Sequence, residues 1–458
     1  MKNLFLGLDL GSTVAKAAVF DRRGHAVAVA SRRMAVQSPR PGWVERDPVE
    51  CWRACAAVLR RVAAGRAEKI VAISITGCGN GAVFLDEANE PVRAGILSSD
   101  TRAVEFVGRD RRRTRQTGYP GQTASLLRWL RVCEPRTARR LRRILFWKDF
   151  VRLQITGVAC TDFTDAGASG LLDVKTRRWL AADPVLPSLR ESLASAGVVE
   201  AAAARATGLR AGTPVFTGCI DCEAGALGSG VRAAGEFSLI AGTWSINQTF
   251  MRRLPAKAGL FLCNPSVEPG RWLWLEGSPT SAVNFDWAVR LLLGRDDFVR
   301  ASQLAEQSRA EDLLFLPHVP TGRGVFVGLR ATHSPGDLLQ AVMKGVAFAH
   351  RVHVDRLKAA GAAGTRFRLA GGATRSAFWC QIFADVLGRP VEVPGGAEIG
   401  ALGAALCAGV GVRAWSSLSA AQRDLVGAAR VFRPRRSAQT ALAPLYARFL
   451  AQWNLPSP

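Results

Sequence analysis

The sequence predicts an α/β fold with two domains. Its 458 residues exceed what a single hydrophobic core usually accommodates. A strand followed by a glycine-rich turn and a helix occurs twice along the chain, and such alternation is expected of an α/β protein. Apolar residues make up 48% and charged residues 21% of the chain, proportions typical of a globular protein in water.

The first third of the chain predicts a hairpin followed by a helix. Strand-like residues 16–20 and 26–30 flank a polar turn at residues 21–24. Asp47 and Pro48 then stand in the order of a helix cap and a first helical residue. Proline suits that position because the backbone donor that it lacks would have no partner within the helix.

Two further strands end in segments that could carry function. Residues 70–75 lead into the glycine-rich loop 77–81, and ligands of open α/β sheets bind at the carboxyl ends of strands. The same loop is equally compatible with a hairpin turn into residues 82–85. A strand-like run at residues 214–220 ends at Asp221, and a helix of small residues is predicted to follow.

The second half of the chain repeats this order of elements. A strand at residues 236–240 runs into the turn 241–245, and a long helix is predicted over about 337–357. A strand at residues 367–370 precedes the glycine-rich turn 371–374, and another helix follows it. No low-complexity linker separates the halves, so we place the domain boundary by element order, near residues 222–235.

The chain is strongly basic, with 61 lysines and arginines against 37 acidic residues and a net charge of +24. Arginines cluster in residues 109–115, 139–143 and 433–436. Such clusters can bind nucleic acid or a membrane surface. No recognition motif or interleaved aromatic residues accompany them, so we interpret them as solvated helix faces whose field attracts nucleotides and other anions.

Composition also points to a cytoplasmic protein. No run of 18 apolar residues is free of charge, and Asp9 interrupts the first apolar run too early for a signal peptide. The ten cysteines follow no regular spacing, which favours free thiols. Cys219 and Cys222 form a C-x-x-C pair. A structural zinc site usually requires a second such pair, and the sequence contains none.

Two aspartates at strand ends suggest phosphoryl transfer, which needs a phosphate cradle, a metal and a base. Asp9 precedes a turn at residues 11–13 whose backbone N–H groups and hydroxyls could contact phosphate, with Lys16 adding a positive charge. An ionised Asp9 would repel phosphate unless a cation intervened, and Mg²⁺ is the usual cation with nucleotides. Asp221 is the second carboxylate. A capped β-turn is the competing interpretation of the first motif.

Two glycine-containing turns are weaker candidates for nucleotide contacts. Residues 242–243 follow a strand, and residues 371–373 precede a helix whose N-terminus carries partial positive charge. Turns of this kind also occur for packing alone. The G-x-x-x-x-G-K-[ST] motif does not occur, which excludes a P-loop enzyme.

Taken in order, these motifs resemble the FGGY family of carbohydrate kinases over nearly the whole chain. Each piece is modest, but the ordered set is specific. The resembling segments are residues 9–13, 41–48, 96–102, 148–149, 218–221, 242–243, 371–376 and 398–405.

The resemblance implies a two-lobed actin-like ATPase fold, each lobe built on a ribonuclease H-like sheet, with the active site in the cleft between lobes. It implies a sugar-binding N-terminal lobe, residues 1–228, and an ATP-binding C-terminal lobe, residues 229–458. ATP and Mg²⁺ would be the phosphoryl donor and its metal. The acceptor would be a hydroxyl of a sugar or polyol.

The resemblance also implies roles for individual residues. Asp221 would be the general base and Asp9 the carboxylate on the Mg²⁺ side. The candidate phosphate contacts are Gly11, Ser12, Thr13, Lys16, Gly242 and Thr243. The candidate adenosine contacts are Gly371, Gly372, Ala373 and Ser376. The candidate substrate contacts are Asn80, Asp100 and Asp221.

Residues 96–100 and 276–282 are most similar to the L-xylulose kinase and erythritol kinase branch, which implies a pentulose or a small polyol as substrate. Cys222 departs from the pattern, since relatives often have Asn or Gln there. Two alternatives stay open: a catalytically weak relative that binds sugar or nucleic acid as a regulator, and an ATPase without a sugar substrate. The expected partner is a small molecule without membrane or nucleic acid, and a homodimer is left open.

Overall fold

The computed structural model describes residues 3–108, 112–257, 259–310, 312–318, 324–396 and 398–453. Arg109 and Arg111 of the first arginine cluster lie outside these residues. The strands are β1 (Leu4–Leu10), β2 (Val14–Phe20), β3 (Ala26–Arg33), β4 (Glu45–Arg46), β5 (Ile70–Gly77), β6 (Val83–Leu85), β7 (Gly95–Ile96), β8 (Arg143–Leu145), β9 (Cys160–Asp162), β10 (Leu172–Asp173), β11 (Arg178–Trp179), β12 (Ser188–Arg190), β13 (Ser195–Val198), β14 (Pro214–Phe216), β15 (Glu236–Ala241), β16 (Ser245–Met251), β17 (Leu262–Pro265), β18 (Trp272–Ser278), β19 (Leu314–Leu316), β20 (Val325–Val327), β21 (Arg366–Gly371), β22 (Val391–Gly395) and β23 (Gly427–Phe432).

The α-helices separate these strands along the chain. They are α1 (Pro48–Ala63), α2 (Thr123–Cys133), α3 (Pro135–Arg140), α4 (Trp147–Thr156), α5 (Phe163–Ala168), α6 (Ala201–Thr207), α7 (Asp221–Gly228), α8 (Val283–Leu293), α9 (Phe298–Gln307), α10 (Pro335–Ala359), α11 (Ala377–Leu387), α12 (Ile399–Gly411), α13 (Leu418–Leu425) and α14 (Arg436–Trp453).

The described residues form two compact units that interleave along the chain. Unit 1 comprises Met1–Arg232, Met251–Leu273 and Gly396–Gly427, and unit 2 comprises Ala233–Phe250, Trp274–Gly395 and Ala428–Pro458. In unit 1, α12 packs against β1 and α7, so this late segment completes the core of the first unit. The division into lobes of residues 1–228 and 229–458 stays a prediction about function.

The main sheet of unit 1 has the strand order β13-β14-β5-β1-β2-β3. Strands β1, β2 and β3 are antiparallel neighbours, which confirms the predicted hairpin at residues 16–30. Strand β5 lies parallel to both β1 and β14. An antiparallel meander continued by parallel strands is the ribonuclease H-like arrangement that the resemblance implies.

Helix α1 begins where the sequence predicts. The Asp47 side chain accepts a hydrogen bond from the Val49 backbone N–H at 2.8 Å, and Pro48 is the first helical residue. Cys55 and Leu59 on its apolar face are fully buried in the same cluster as Ile73 of β5. The helix therefore covers one face of the sheet whose strand ends carry the predicted site residues.

Unit 2 contains a second sheet of the same kind. Its strands run in the order β18-β16-β15-β21-β22-β23, with β15 antiparallel to β16 and parallel to β21. The predicted long helix is α10, and a capping box formed by Ser334 and Asp337 lies at its N-terminus. The helix predicted after residue 374 is α11. Among the described residues, no helix is long and apolar enough to cross a membrane.

Candidate active site

Asp9 lies one residue before the end of β1, directly opposite Lys16 in the antiparallel register. The Nζ atom of Lys16 is 2.7 Å from Oε2 of Glu398, so this lysine is already ion-paired within unit 1. Burial raises the pKa of the Asp9 carboxyl to about 6, with Lys16 lowering it and Glu398 raising it. The structure thus gives Lys16 a carboxylate partner, and its predicted contact with phosphate stays a prediction.

The turn at residues 11–13 keeps its polar side chains accessible. The Gly11 N–H donates to the Val14 carbonyl at 3.0 Å, while Ser12 and Thr13 are exposed. Arg46 donates to the Ser12 carbonyl, and the Met34 N–H donates to the Thr13 carbonyl at 2.9 Å. The backbone of the turn is therefore fixed, the Ser12 hydroxyl lies beside the Cys78 thiol, and Ser12 and Thr13 are both accessible to a ligand.

Asp221 is the first residue of α7 rather than the last of a strand. The preceding strand β14 ends at Phe216, so the strand predicted over residues 214–220 is shorter than expected. The Cys222 N–H donates to Oδ1 of Asp221 at 2.7 Å. Burial, followed by the charge of Asp9, raises the pKa of Asp221 to about 7, although the N–H groups of Cys222 and Gly79 oppose this shift.

The two aspartates fit a magnesium ion. They are half-buried in one unit, and the charge of Asp9 raises the pKa of Asp221, so a divalent cation would relieve their repulsion. Gly400 adjoins the Asp9 carboxylate, where a Cβ atom would collide with Oδ2. The missing side chain leaves room around hard oxygen donors, which are the ligands that Mg²⁺ prefers.

Asn80 lies in the loop after β5, in a left-handed conformation with φ of 63°. Its side chain is buried, and Oδ1 accepts a hydrogen bond from the Thr123 N–H at 3.4 Å. Strand β6 pairs with β8 and not with β5, so the hairpin alternative for this loop is wrong. The loop instead lies at the carboxyl end of β5. Its first residue, Gly77, forms a parallel β-bridge with Ile220.

Asp100 is placed differently from Asn80. Its side chain has no exposed surface and is 2.7 Å from Nη2 of Arg102. Oδ2 also accepts from the Val44 N–H at 2.6 Å, and Oδ1 accepts from the Arg102 N–H at 2.8 Å. Both oxygens are therefore engaged by the protein, and the role of Asp100 as a substrate contact stays a prediction.

Tyr119 is a candidate that sequence reasoning missed. Its pKa is raised by burial and by the charge of Asp221, and the side chain of Asn80 lies beside its hydroxyl. Its ring stacks on Phe261 with centroids 5.7 Å apart. Tyr119 lies in the turn-like run Gly118-Tyr119-Pro120-Gly121, which follows no predicted strand, and so it was not identified from the strand-end pattern.

In unit 2, the predicted nucleotide contacts lie at the carboxyl ends of two neighbouring strands of the sheet. Gly242 and Thr243 follow β15, Gly371 ends β21, and the register of these parallel strands pairs Ala241 with Gly371. Gly371 has φ of 93°, a conformation that residues with a side chain rarely adopt. The structure thus brings these two turns together.

The remaining nucleotide candidates surround the start of α11. Gly372 and Ala373 belong to a single helical turn, and Ser376 caps α11 by accepting from the Trp379 N–H at 3.2 Å. The Ser302 hydroxyl donates to Oγ of Ser376 at 2.6 Å. Glycine turns before a helix N-terminus suit an anionic ligand.

Comparison with known proteins agrees with this geometry. The N-terminal domain model of the FGGY family of carbohydrate kinases matches residues 4–228, and the C-terminal domain model matches residues 238–412. The L-xylulose/3-keto-L-gulonate kinase of Escherichia coli K12 is 33% identical over 98% of this chain and 96% of its own length. A probable L-xylulose kinase of Pasteurella multocida is 32% identical, covering 92% and 94%.

Solved structures extend the agreement to the fold. The crystal structure of xylulose kinase from Rhodospirillum rubrum superimposes with a TM-score of 0.87 at 27% identity, covering 98% of each chain. A kinase of the same kind from Brucella ovis gives 0.89 at 27% identity, covering 98% of this chain and 99% of its own. The chain therefore belongs to the FGGY family of carbohydrate kinases, Mg²⁺-using ATP-dependent phosphotransferases with the two-lobed actin-like ATPase fold.

Proposed function

We propose that this kinase transfers the γ-phosphoryl group of ATP to a hydroxyl of a pentulose, or of a similarly small polyol, with Asp221 as general base. The observation that carries this proposal is the half-buried carboxylate of Asp221 beside the loop of Asn80. The relatives named as L-xylulose and xylulose kinases support a pentulose as the acceptor.

Asp221 has the protonation behaviour that a base requires. A general base works best when its pKa lies near the working pH, and burial together with Asp9 raises that of Asp221 to about 7. In the proposed reaction its Oδ atom accepts the proton of the sugar hydroxyl while the sugar oxygen attacks the γ-phosphorus of ATP, and the bond from that phosphorus to ADP breaks. The proton stays on Asp221 until the phosphorylated sugar leaves.

Neighbouring side chains would orient the acceptor. The Asn80 amide can both donate to and accept from sugar hydroxyls, and the Tyr119 hydroxyl can do the same. The Tyr119 ring, stacked on Phe261, offers an apolar surface to the carbon face of the sugar. We propose Asn80 and Tyr119 as substrate contacts. Asp100 would act indirectly, by forming an ion pair that fixes the Arg102 side chain.

We propose contacts for the donor in each unit separately. We propose that Gly11, Ser12 and Thr13 contact its phosphates from unit 1, and that the turns after β15 and β21 bind the nucleotide in unit 2. Asp9 would hold Mg²⁺, which neutralises the phosphate charge when bound. Lys16 is already paired with Glu398 at 2.7 Å, and it would contact phosphate through another of its three N–H donors.

We also propose a cytoplasmic location, because the donor is ATP and the ten cysteines are free thiols. The basic surface would serve to attract anionic substrates and not nucleic acid. The regulator alternative has no support among the relatives, which are named as kinases.

A substrate screen tests the proposal. Purified protein with MgATP is given a panel of ketopentoses, including both xylulose enantiomers, and of tetritols, and ADP release is followed together with formation of the sugar phosphate. We expect one pentulose to give the highest kcat/KM. ADP release without a phosphate ester, or no turnover with any acceptor, would contradict the proposal and favour the two alternatives left open by the sequence.

A further inference from the structure

Unit 1 contains a cluster of buried ionisable side chains outside the site described above. Lys148 is its centre: the Nζ atom lies 2.6 Å from Asp149, 2.8 Å from Asp162 and 3.1 Å from Asp165. Arg152 adds a second cation, with Nη1 2.7 Å from Asp149. Each of these five side chains is at most 1% exposed. We call this group the buried ion cluster.

Such a cluster is costly unless its charges are paired and hydrogen-bonded. It contains two cations and three carboxyl groups. Burial raises the pKa of Asp165 well above its usual value, which favours a protonated Asp165 and a cluster without net charge. Replacing paired ions by apolar residues is often neutral or stabilising, so stability alone is a weak reason for five ionisable groups here.

The cluster and its neighbours hold the backbone segment that ends at the proposed base. Arg152 Nη1 donates to the Thr217 carbonyl at 2.9 Å, and the Gly218 N–H donates to the Ser192 carbonyl at 2.9 Å. Residue 219 is held as well, because the Thr76 hydroxyl donates to the Cys219 carbonyl at 2.7 Å. Every residue from 217 to 219 thus has a backbone group bonded outside the segment.

Thr164 completes this set at the residue next to Asp221. Its Oγ1 accepts from the Ile220 N–H at 2.8 Å and donates to Oδ2 of Asp162 at 2.5 Å. The same Oδ2 accepts from the Ser192 hydroxyl at 2.8 Å, so Asp162 fixes both side chains. A continuous path therefore runs from Lys148 through Asp162 and Thr164 to the backbone N–H beside the proposed base.

We propose that Lys148, Asp162 and Thr164 are positioning residues for phosphoryl transfer, which fix the Asp221 carboxylate through the backbone of residues 217–220. This inference rests on the proposed role of Asp221 as general base. Its physical basis is orientation: a displacement of about 1 Å at a reacting group can cost about 10²-fold in rate. None of the three positioning residues would touch the sugar or ATP.

The neighbouring threonine provides a matched control. Thr161 and Thr164 are both fully buried, but Oγ1 of Thr161 has no hydrogen-bond partner among the described residues. Replacing either by valine removes one hydroxyl and keeps the shape of the side chain. Only Thr164→Val removes the bond to the Ile220 N–H.

The experiment compares Thr164→Val, Thr164→Ser and Thr161→Val for kcat, for the KM of ATP and for thermal unfolding. We expect Thr164→Val to lower kcat about 10- to 100-fold with the KM for ATP within about twofold of wild type. Thr164→Ser should recover most of kcat, because it keeps the hydroxyl. Thr161→Val should keep the wild-type kcat.

Three outcomes would overturn the inference: equal losses in both valine variants, no recovery in Thr164→Ser, or an unchanged kcat in Thr164→Val. If Thr164→Val does not fold, Ser192→Ala takes its place, since it removes one hydrogen bond to Asp162, and it must lower kcat at constant KM for ATP. Asp221→Asn, measured in parallel, separates the two proposals. Wild-type activity in Asp221→Asn would contradict the role of Asp221, whereas loss in Asp221→Asn with none in Thr164→Val would contradict only the positioning path.

Discussion

The acid side of the pH–rate profile should report Asp221. Burial and the neighbouring charge of Asp9 raise its pKa from 3.8 to about 7, and only the ionised carboxylate can accept a proton. With both substrates well below saturation, the rate reports the free enzyme, so it should rise with pH through about 7. At pH 6, one unit below, about a tenth of the limiting rate should remain from the ionisation of Asp221 alone, and protonation of Asp9, whose pKa is about 6, should lower the rate further.

Initial rates of ADP release, measured at constant ionic strength between about pH 5 and 9, check this prediction. Glu223→Gln is the matched control on the same helix. Burial raises the pKa of Glu223 to about 8, so below that pH this side chain is mostly neutral already, and its Oε1 accepts from the Ser266 hydroxyl and the Val267 N–H as a glutamine oxygen could. The control should show the wild-type profile. A wild-type rate that is flat from about pH 5.5 to 8, as the usual carboxyl pKa of about 4 would give, would refute the reasoning.

Two other substitutions test the surroundings of the site. Arg102→Ala should lower the free energy of unfolding by about 3–5 kcal/mol in urea titrations, because it leaves the buried carboxylate of Asp100 without its cation and leaves Glu45 with Arg93 alone; a loss under about 1 kcal/mol would show that the Asp100 charge is solvated. Tyr119→Phe should raise the KM for the sugar about two- to tenfold at constant KM for ATP, as expected for one lost neutral hydrogen bond; an unchanged KM for the sugar would exclude Tyr119 as a substrate contact.

Elements with strong local signals could be predicted from the sequence. The β2–β3 hairpin and the start of α1 follow from short patterns, a polar turn and an Asp-Pro pair, which act within a few residues. The start of β15 and the presence of helix α11 were predictable for the same reason. Local propensity decided these cases, and no distant contact had to be known.

Features that depend on distant contacts could not be predicted. Helix α12 belongs to the core of unit 1, although it begins more than 160 residues after Arg232, where the first segment of that unit ends. The early end of β14 has the same origin, because the backbone of residues 217–220 bonds to side chains such as Thr164 and Arg152. The bond from the Val44 N–H to the Asp100 carboxylate likewise joins residues that are 56 positions apart in the sequence.

The role of residue 221 as proton acceptor is tested most directly by kcat of Asp221→Asn at saturating sugar and MgATP, with Glu223→Gln as the reference for a conservative change on α7. An asparagine cannot take the proton, so kcat should fall at least about 10²-fold while the reference variant keeps its turnover. A kcat for Asp221→Asn within about tenfold of wild type would contradict the assignment of the base.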